Sequence, residues 1–133
     1  MYKVKRNHIV EELQIEDNGQ TLDLAVDINV DTMLKAYNNA QYKIAQASID
    51  AKKATDKQNM EKAEEAMGNA IFALFEVVFG KEQTDKIIDF YDNKALEMLG
   101  DIAPFIADVV APRFKEAQQK IEESYRQVSK RTK

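Results

Sequence analysis

The stretch AIFALFEVVFG, Ala70 to Gly80, holds one charge in eleven positions inside a chain whose residues are 32% charged. A helix through it is apolar on most sides, and such a helix has to be covered by several neighbours. This segment therefore demands a central helix with others packed around it, and it assigns Leu74, Phe75 and Val78 to a core rather than to an exposed patch. With 133 residues, 44% of them hydrophobic, the chain suits one domain with a modest core.

The pattern around this segment supplies the cover. The central helix runs from about Met60 to Phe79, with Ala63, Met67, Ala70, Ile71, Leu74 and Val78 on one stripe and Phe72, Phe75 and Phe79 beside it; Gly80 follows as a left-handed stop. Upstream, Asp31 caps a helix from Thr32 to about Ala54 with a thin stripe of Met33, Tyr37, Ala40, Ile44, Ala47 and Ala51, and the polar TDKQN marks a break. Downstream, a short helix from about Glu82 to Asp92 buries Ile87, Ile88 and Tyr91. Asp101 then caps another helix with Pro104 in its first turn. Pro112 lies deep in a helical pattern and should bend or end that helix near Val110 or Ala111. The final segment keeps a narrow seam at Phe114, Ala117, Ile121, Ser124 and Val128, spaced as in a coiled coil, and is free to project from the body.

Before the helices, residues 8–30 alternate with period two about Asn18-Gly19, the pair favoured in a type I′ turn. That turn sets Ile15 across from Leu22, Leu13 from Leu24, Glu11 from Val26 and Ile9 from Ile28, so one face is apolar and the other carries Glu12, Gln14, Asp23 and Asp27. Two strands are not stable alone. The apolar face should pack on helices, and both outer edges stay open unless another chain supplies a strand; the expectation is a homo-oligomer with Leu13, Ile15, Leu22 and Leu24 close to the contact. The fold class is mainly α: an N-terminal β-hairpin followed by a bundle of about four to five helices, the last free to project, in one domain made of a hairpin arm (1–30), a helical body (31–111) and a C-terminal amphipathic helix (112–133).

The residues offer little chemistry. His8 is the one histidine and cysteine is absent, which excludes a two-histidine or thiolate metal site within one chain. Asp85, Asp89 and Asp92 alternate with lysines as a solvated face does, and Asp23, Asp27 and Asp31 lack the glycine and closing glutamate of a calcium loop. The glycines stand isolated at 19, 68, 80 and 100, so no phosphate loop is formed, and no serine has the flanking glycines of a nucleophile elbow. No catalytic, cofactor-binding or metal residue is expected, and the chain reads as a non-enzyme. A net charge of −4 argues against nucleic acid as the main partner; Lys3, Lys5 and Arg6 at one end, with Lys130, Arg131 and Lys133 at the other, read as solvated tails. Without a secretory apolar run or a stretch near the ~20 residues that span a bilayer, a cytosolic protein without membrane contact is expected.

The run FGKEQTDKIIDFYDN and then ALEMLGDIAPFIADVVAPRFKEA resembles the small tail assembly chaperones of siphophages and prophages of Gram-positive bacteria. The similar residues are the turn Phe79 to Glu82, the helix Lys86 to Asn93, and the pairs at Pro104 to Ile106 and Ala111 to Pro112. The resemblance implies a non-catalytic, cofactor-free protein of the host cytoplasm, absent from the mature virion, that oligomerises and coats the tape measure protein while tail tube subunits are recruited. Phe114, Ile121 and Val128 are the candidate contact with the tape measure protein. A structural or connector protein of a phage particle and a helical regulatory adaptor are the alternatives.

Overall fold

The computed structural model describes residues 1–131. Strands β1 (Ile9–Asp17) and β2 (Gln20–Ile28) form one antiparallel hairpin. Its register is the one read from the sequence, from Ile15↔Leu22 through Leu13↔Leu24 to Ile9↔Ile28. Asn18 and Gly19, at φ 49 and 82, are both left-handed as a type I′ turn requires. Helix α1 (Val30–Lys53) follows at once. Its cap is Asn29, whose side chain accepts from the Thr32 N–H, not the expected Asp31. Asn29 still has extended backbone at the end of the strand, as a cap needs, while Asp31 sits in the first turn beside the positive helix end.

Asp56 caps α2 (Lys57–Phe90), accepting from the Asn59 N–H at 2.7 Å. The three residues between α1 and α2 turn the chain back, so the two helices lie side by side in antiparallel fashion. Buried Ala47, Ala63 and Ala70 keep large side chains out of their contact. Ala51, placed on the stripe by its spacing, is exposed instead. At Gly80 the backbone leaves the helix (φ 80, ψ 164), so α2 has two limbs, and the short helix expected from Glu82 is the second of them. Ile87 and Tyr91 there are buried and Ile88 half-buried.

Helix α3 (Ala95–Phe105), a π-helical turn (Ile106–Val110) and α4 (Ala111–Arg131) follow one another without interruption. Among the described residues the helical runs number three rather than four to five, with α2 and its break at Gly80 counted as one. Two expectations fail together here. Asp101 caps nothing, since α3 begins six residues earlier after Lys94, and Pro104 lies inside the helix. Pro112 neither ends nor splits the run. Its ring would press on the carbonyl four residues back and it has no N–H to give; the turn before it is widened instead, with the Ala111 N–H donating to Ile106 O, five residues back.

The core is continuous. Ile71, Leu74, Phe75, Val78 and Phe79 from the first limb of α2 meet Leu24, Val26 and Ile28 of the hairpin, Met33 and Tyr37 of α1, and Met98, Ile102, Ile106 and Val110 of the C-terminal run. The apolar segment that demanded cover has it: Ile71 and Phe75 are wholly buried.

Candidate functional site

The last helix divides its seam between two environments. Phe114 is 3% exposed and stacks at a tilt on Tyr37, ring centroids 5.0 Å apart. Ile121 and Val128 are 53% and 62% exposed, with Tyr125 between them at 75%. Positions 121, 125 and 128 fall four and three apart, so they share one face. Every residue from 118 to 130 is exposed, and α4 thus leaves the body as a helix with an uncovered apolar stripe. The candidate contact residues are therefore split, Phe114 to the core and Ile121 and Val128 to the surface. Tyr125 was missed for Ser124 in the seam, although its spacing from Ile121 was visible. The Ser124 hydroxyl turns back to Lys120 O. Lys133 lies outside the described residues, as does the end of the expected segment 112–133.

The base of α4 is clamped to the sheet. Arg113 Nε donates to Glu11 Oε1 at 2.7 Å and its Nη1 to Glu116 at 3.2 Å. The hydrogen bond to Glu11, and after it that to Glu116, holds the guanidinium pKa above its ordinary value. Glu11 is a charge set between Ile9 and Leu13 on the inward face of the hairpin, and such a break in the apolar alternation was the signal that a cation lies opposite. An open apolar groove of about 560 Å³ runs beside this base between α1 and the C-terminal run, lined by Tyr37, Ile44, Leu74, Leu99 and Ile106 among others.

Leu13, Ile15, Leu22 and Leu24 pack against the chain's own helical core, Leu24 fully buried and the other three partly. The two edges of the hairpin differ. On β2, the Gln83 amide accepts from the Ala25 N–H at 2.9 Å and donates to Ala25 O at 2.7 Å, as a neighbouring strand would. The same group donates to Phe79 O at 2.8 Å, so Gln83 joins the two limbs of α2 to each other and to the sheet. Among the described residues no strand pairs along the outer edge of β1.

A cleft of about 220 Å³ lies where the hairpin tip meets α3, lined by Glu16, Asp17, Tyr91, Asp92, Glu97 and Asp101 among others. Tyr91 donates its hydroxyl to Asp101 Oδ2 at 3.0 Å. Burial, then that hydrogen bond, then the charges of Asp101, Glu97 and Asp17 push its pKa up to about 12. Among the described residues no group of three or more His, Cys, Asp or Glu side chains is disposed to hold a metal ion, and no helix is long and apolar enough to cross a membrane. Comparison with family models, curated proteins and solved structures finds no match to this chain.

Proposed function

We propose that the chain is a phage tail assembly chaperone, acting in the host cytoplasm and absent from the mature virion, which self-associates, keeps the tape measure protein soluble and recruits tail tube subunits. The observation that carries this reading is the exposed apolar stripe Ile121, Tyr125, Val128 on a helix whose residues 118–130 are all exposed. A long helical client exposes apolar stripes of its own before a tube encloses it, and a short amphipathic helix is a fitting, weak site for such a stripe. Many copies in a row reach useful avidity through effective concentration while each contact remains displaceable. The segments that carry the family resemblance also coincide with joints of this fold: Phe79 to Glu82 holds the Gly80 break, and Pro104 to Ile106 with Ala111-Pro112 brackets the π-helical turn.

Co-expression with the cognate tape measure protein tests the role. The intact chain should keep that protein soluble, and truncation before Glu116 should abolish the effect. The truncated body should stay folded, because Phe114 and the Arg113–Glu11 pair remain. Unchanged solubility after truncation removes α4 from the mechanism. Failure of the intact chain to bind any tape measure fragment removes the chaperone reading, and finding the chain in purified virions favours a structural or connector protein.

A further inference from the structure

The segment before β1 is the least employed part of the molecule. Residues 1–8 form no helix or strand, and Tyr2 and Val4 are 93% and 86% exposed. The order Tyr2, Lys3, Val4, Lys5 nevertheless alternates apolar and basic residues with the period of a strand. Nearby lies a strand edge of opposite charge.

Parity identifies what that edge offers. Ala25 turns both its N–H and its C=O outward to Gln83, so its partner Glu12 turns its own outward on the β1 side, and Val10, Gln14 and Glu16 follow at every second residue. The exposed sheet face carries Glu12, Glu16, Asp23 and Asp27, while the core-facing side along the same edge carries Leu13 and Ile15. A strand laid here needs cations on one face and apolar side chains on the other.

We infer that residues 2–5 of one copy add as a third, antiparallel strand to the outer edge of β1 in a second copy, with Tyr2 across from Ile15, Lys3 from Gln14, Val4 from Leu13 and Lys5 from Glu12. The backbone groups of Lys3 and Lys5 then meet the outward groups of Gln14 and Glu12. Lys5 gains Glu12, Lys3 lies diagonal to Glu12 and Glu16, and Tyr2 and Val4 extend the apolar face. Two β1 edges are poor partners for each other, because β1 holds Glu11, Glu12, Glu16 and Asp17 and no cation. A tight fold-back within one chain suits the edge no better. A two-residue turn at Asn7-His8 would close on Ile9, and a turn of that kind ends in a hydrogen-bonded pair, but the backbone groups of Ile9 face Ile28 by the same parity. The register above would need Ile9 in the turn itself.

This rests on, and gives a structural basis to, the self-association in the proposed role. The chain has no cysteine, so introduced thiols report cleanly. Chains carrying Lys5→Cys are mixed with chains carrying Glu12→Cys under mild oxidation, with Lys5→Cys plus Glu16→Cys as the displaced register, and the double variant Lys5→Cys/Glu12→Cys tests for fold-back. Light scattering on Lys3→Glu/Lys5→Glu measures the loss of association. The expected result is a mixed disulfide dimer favouring Glu12→Cys over Glu16→Cys, and self-association weakened about tenfold by the charge reversal. A cross-link confined within single double-variant chains assigns the edge to fold-back and overturns the exchange. Oligomers that form without the cross-link and ignore the charge reversal also overturn it while leaving self-association standing. A full-length chain that stays monomeric and uncross-linked removes both.

Discussion

Gly80 occupies φ 80, ψ 164 in the middle of α2, a region that only glycine populates freely. A Cβ built there meets no atom within 4 Å, so the cost of Gly80→Ala is conformational, without a clash. Holding alanine in that region costs ~1–3 kcal/mol, and narrowing the unfolded ensemble returns ~0.4–1 kcal/mol. The net loss is about 1–2 kcal/mol, which in a chain of this length lowers the melting temperature by about 4–7 °C. Escape into a continuous helix is no remedy, because it would swing Gln83 off Ala25 and Ile87 out of the core. Gly68 is the control. It lies within the first limb without positive φ, and its Cβ site is equally open, so Gly68→Ala should add ~0.5–1 kcal/mol and about 2–4 °C. Thermal melts followed by circular dichroism compare both variants with the parent. Opposite signs are expected, and a Gly80→Ala protein at least as stable as the parent would refute the assignment of the break to glycine's backbone freedom.

Phe75→Ala, at a wholly buried ring 5.7 Å from that of Phe79, should cost on the order of 3–5 kcal/mol in urea titrations; an unchanged midpoint would contradict its place in the core. Thr84 Oγ1 is buried without a hydrogen-bond partner. Thr84→Val should thus raise stability by about 1 kcal/mol, and a fall of similar size would mean that the hydroxyl is satisfied in solution. For Tyr91 the folded state holds the phenol proton more tightly than the ordinary 10.0, up to about 12, so its stabilisation is complete below pH 10 and is lost as pH rises through about 12. Burial shifts Tyr37 the same way. The urea midpoint should therefore fall across that range, less steeply in Tyr91→Phe; equal slopes would exclude Tyr91 as a source.

Local rules carried the hairpin and the central helix. The turn at Asn18-Gly19 has one favoured geometry, and once it is set every cross-strand pair follows, so the register to Ile28 was legible. Ile71 to Val78 was legible because an all-round apolar helix has one place to go. The C-terminal run was misread for a physical reason. Pro104 and Pro112 lie eight residues apart, and propensity puts the first in a helix's opening turn and the second at a bend or end, whereas α3 already runs through Pro104 and one π-helical turn before Pro112 gives the chain enough slack to continue. The gain that makes this worthwhile, burial of Met98, Ile102, Ile106 and Val110 against α2, is tertiary and leaves no local mark. Gln83 was invisible for the same reason, since its two Ala25 bonds cross fifty-eight positions of sequence.

The surface was harder to read than the core, and α4 shows why. Periodicity tells which residues share a face; it does not tell how far along that face a neighbour extends. Phe114 and Ile121 are seven residues apart, about 10 Å along the axis, and are equivalent by pattern. What separates them is where the body ends. Tyr37 meets Phe114, and Glu11 meets Arg113 one residue earlier, but residues 118–130 are all exposed. A seam of one chemical character is thereby divided: its first turn anchors the helix, and its later turns stay exposed. The two halves should respond differently to substitution. Phe114→Ala should destabilise the fold by about 3 kcal/mol or more, while Ile121→Asp and Val128→Asp, at exposed helical positions, should leave the melting temperature almost unchanged and, if the proposed role holds, lower the yield of soluble tape measure protein on co-expression. If the aspartate variants unfold the body, the exposed half is a folding element and the division fails; if they leave both stability and client solubility intact, the stripe serves no client.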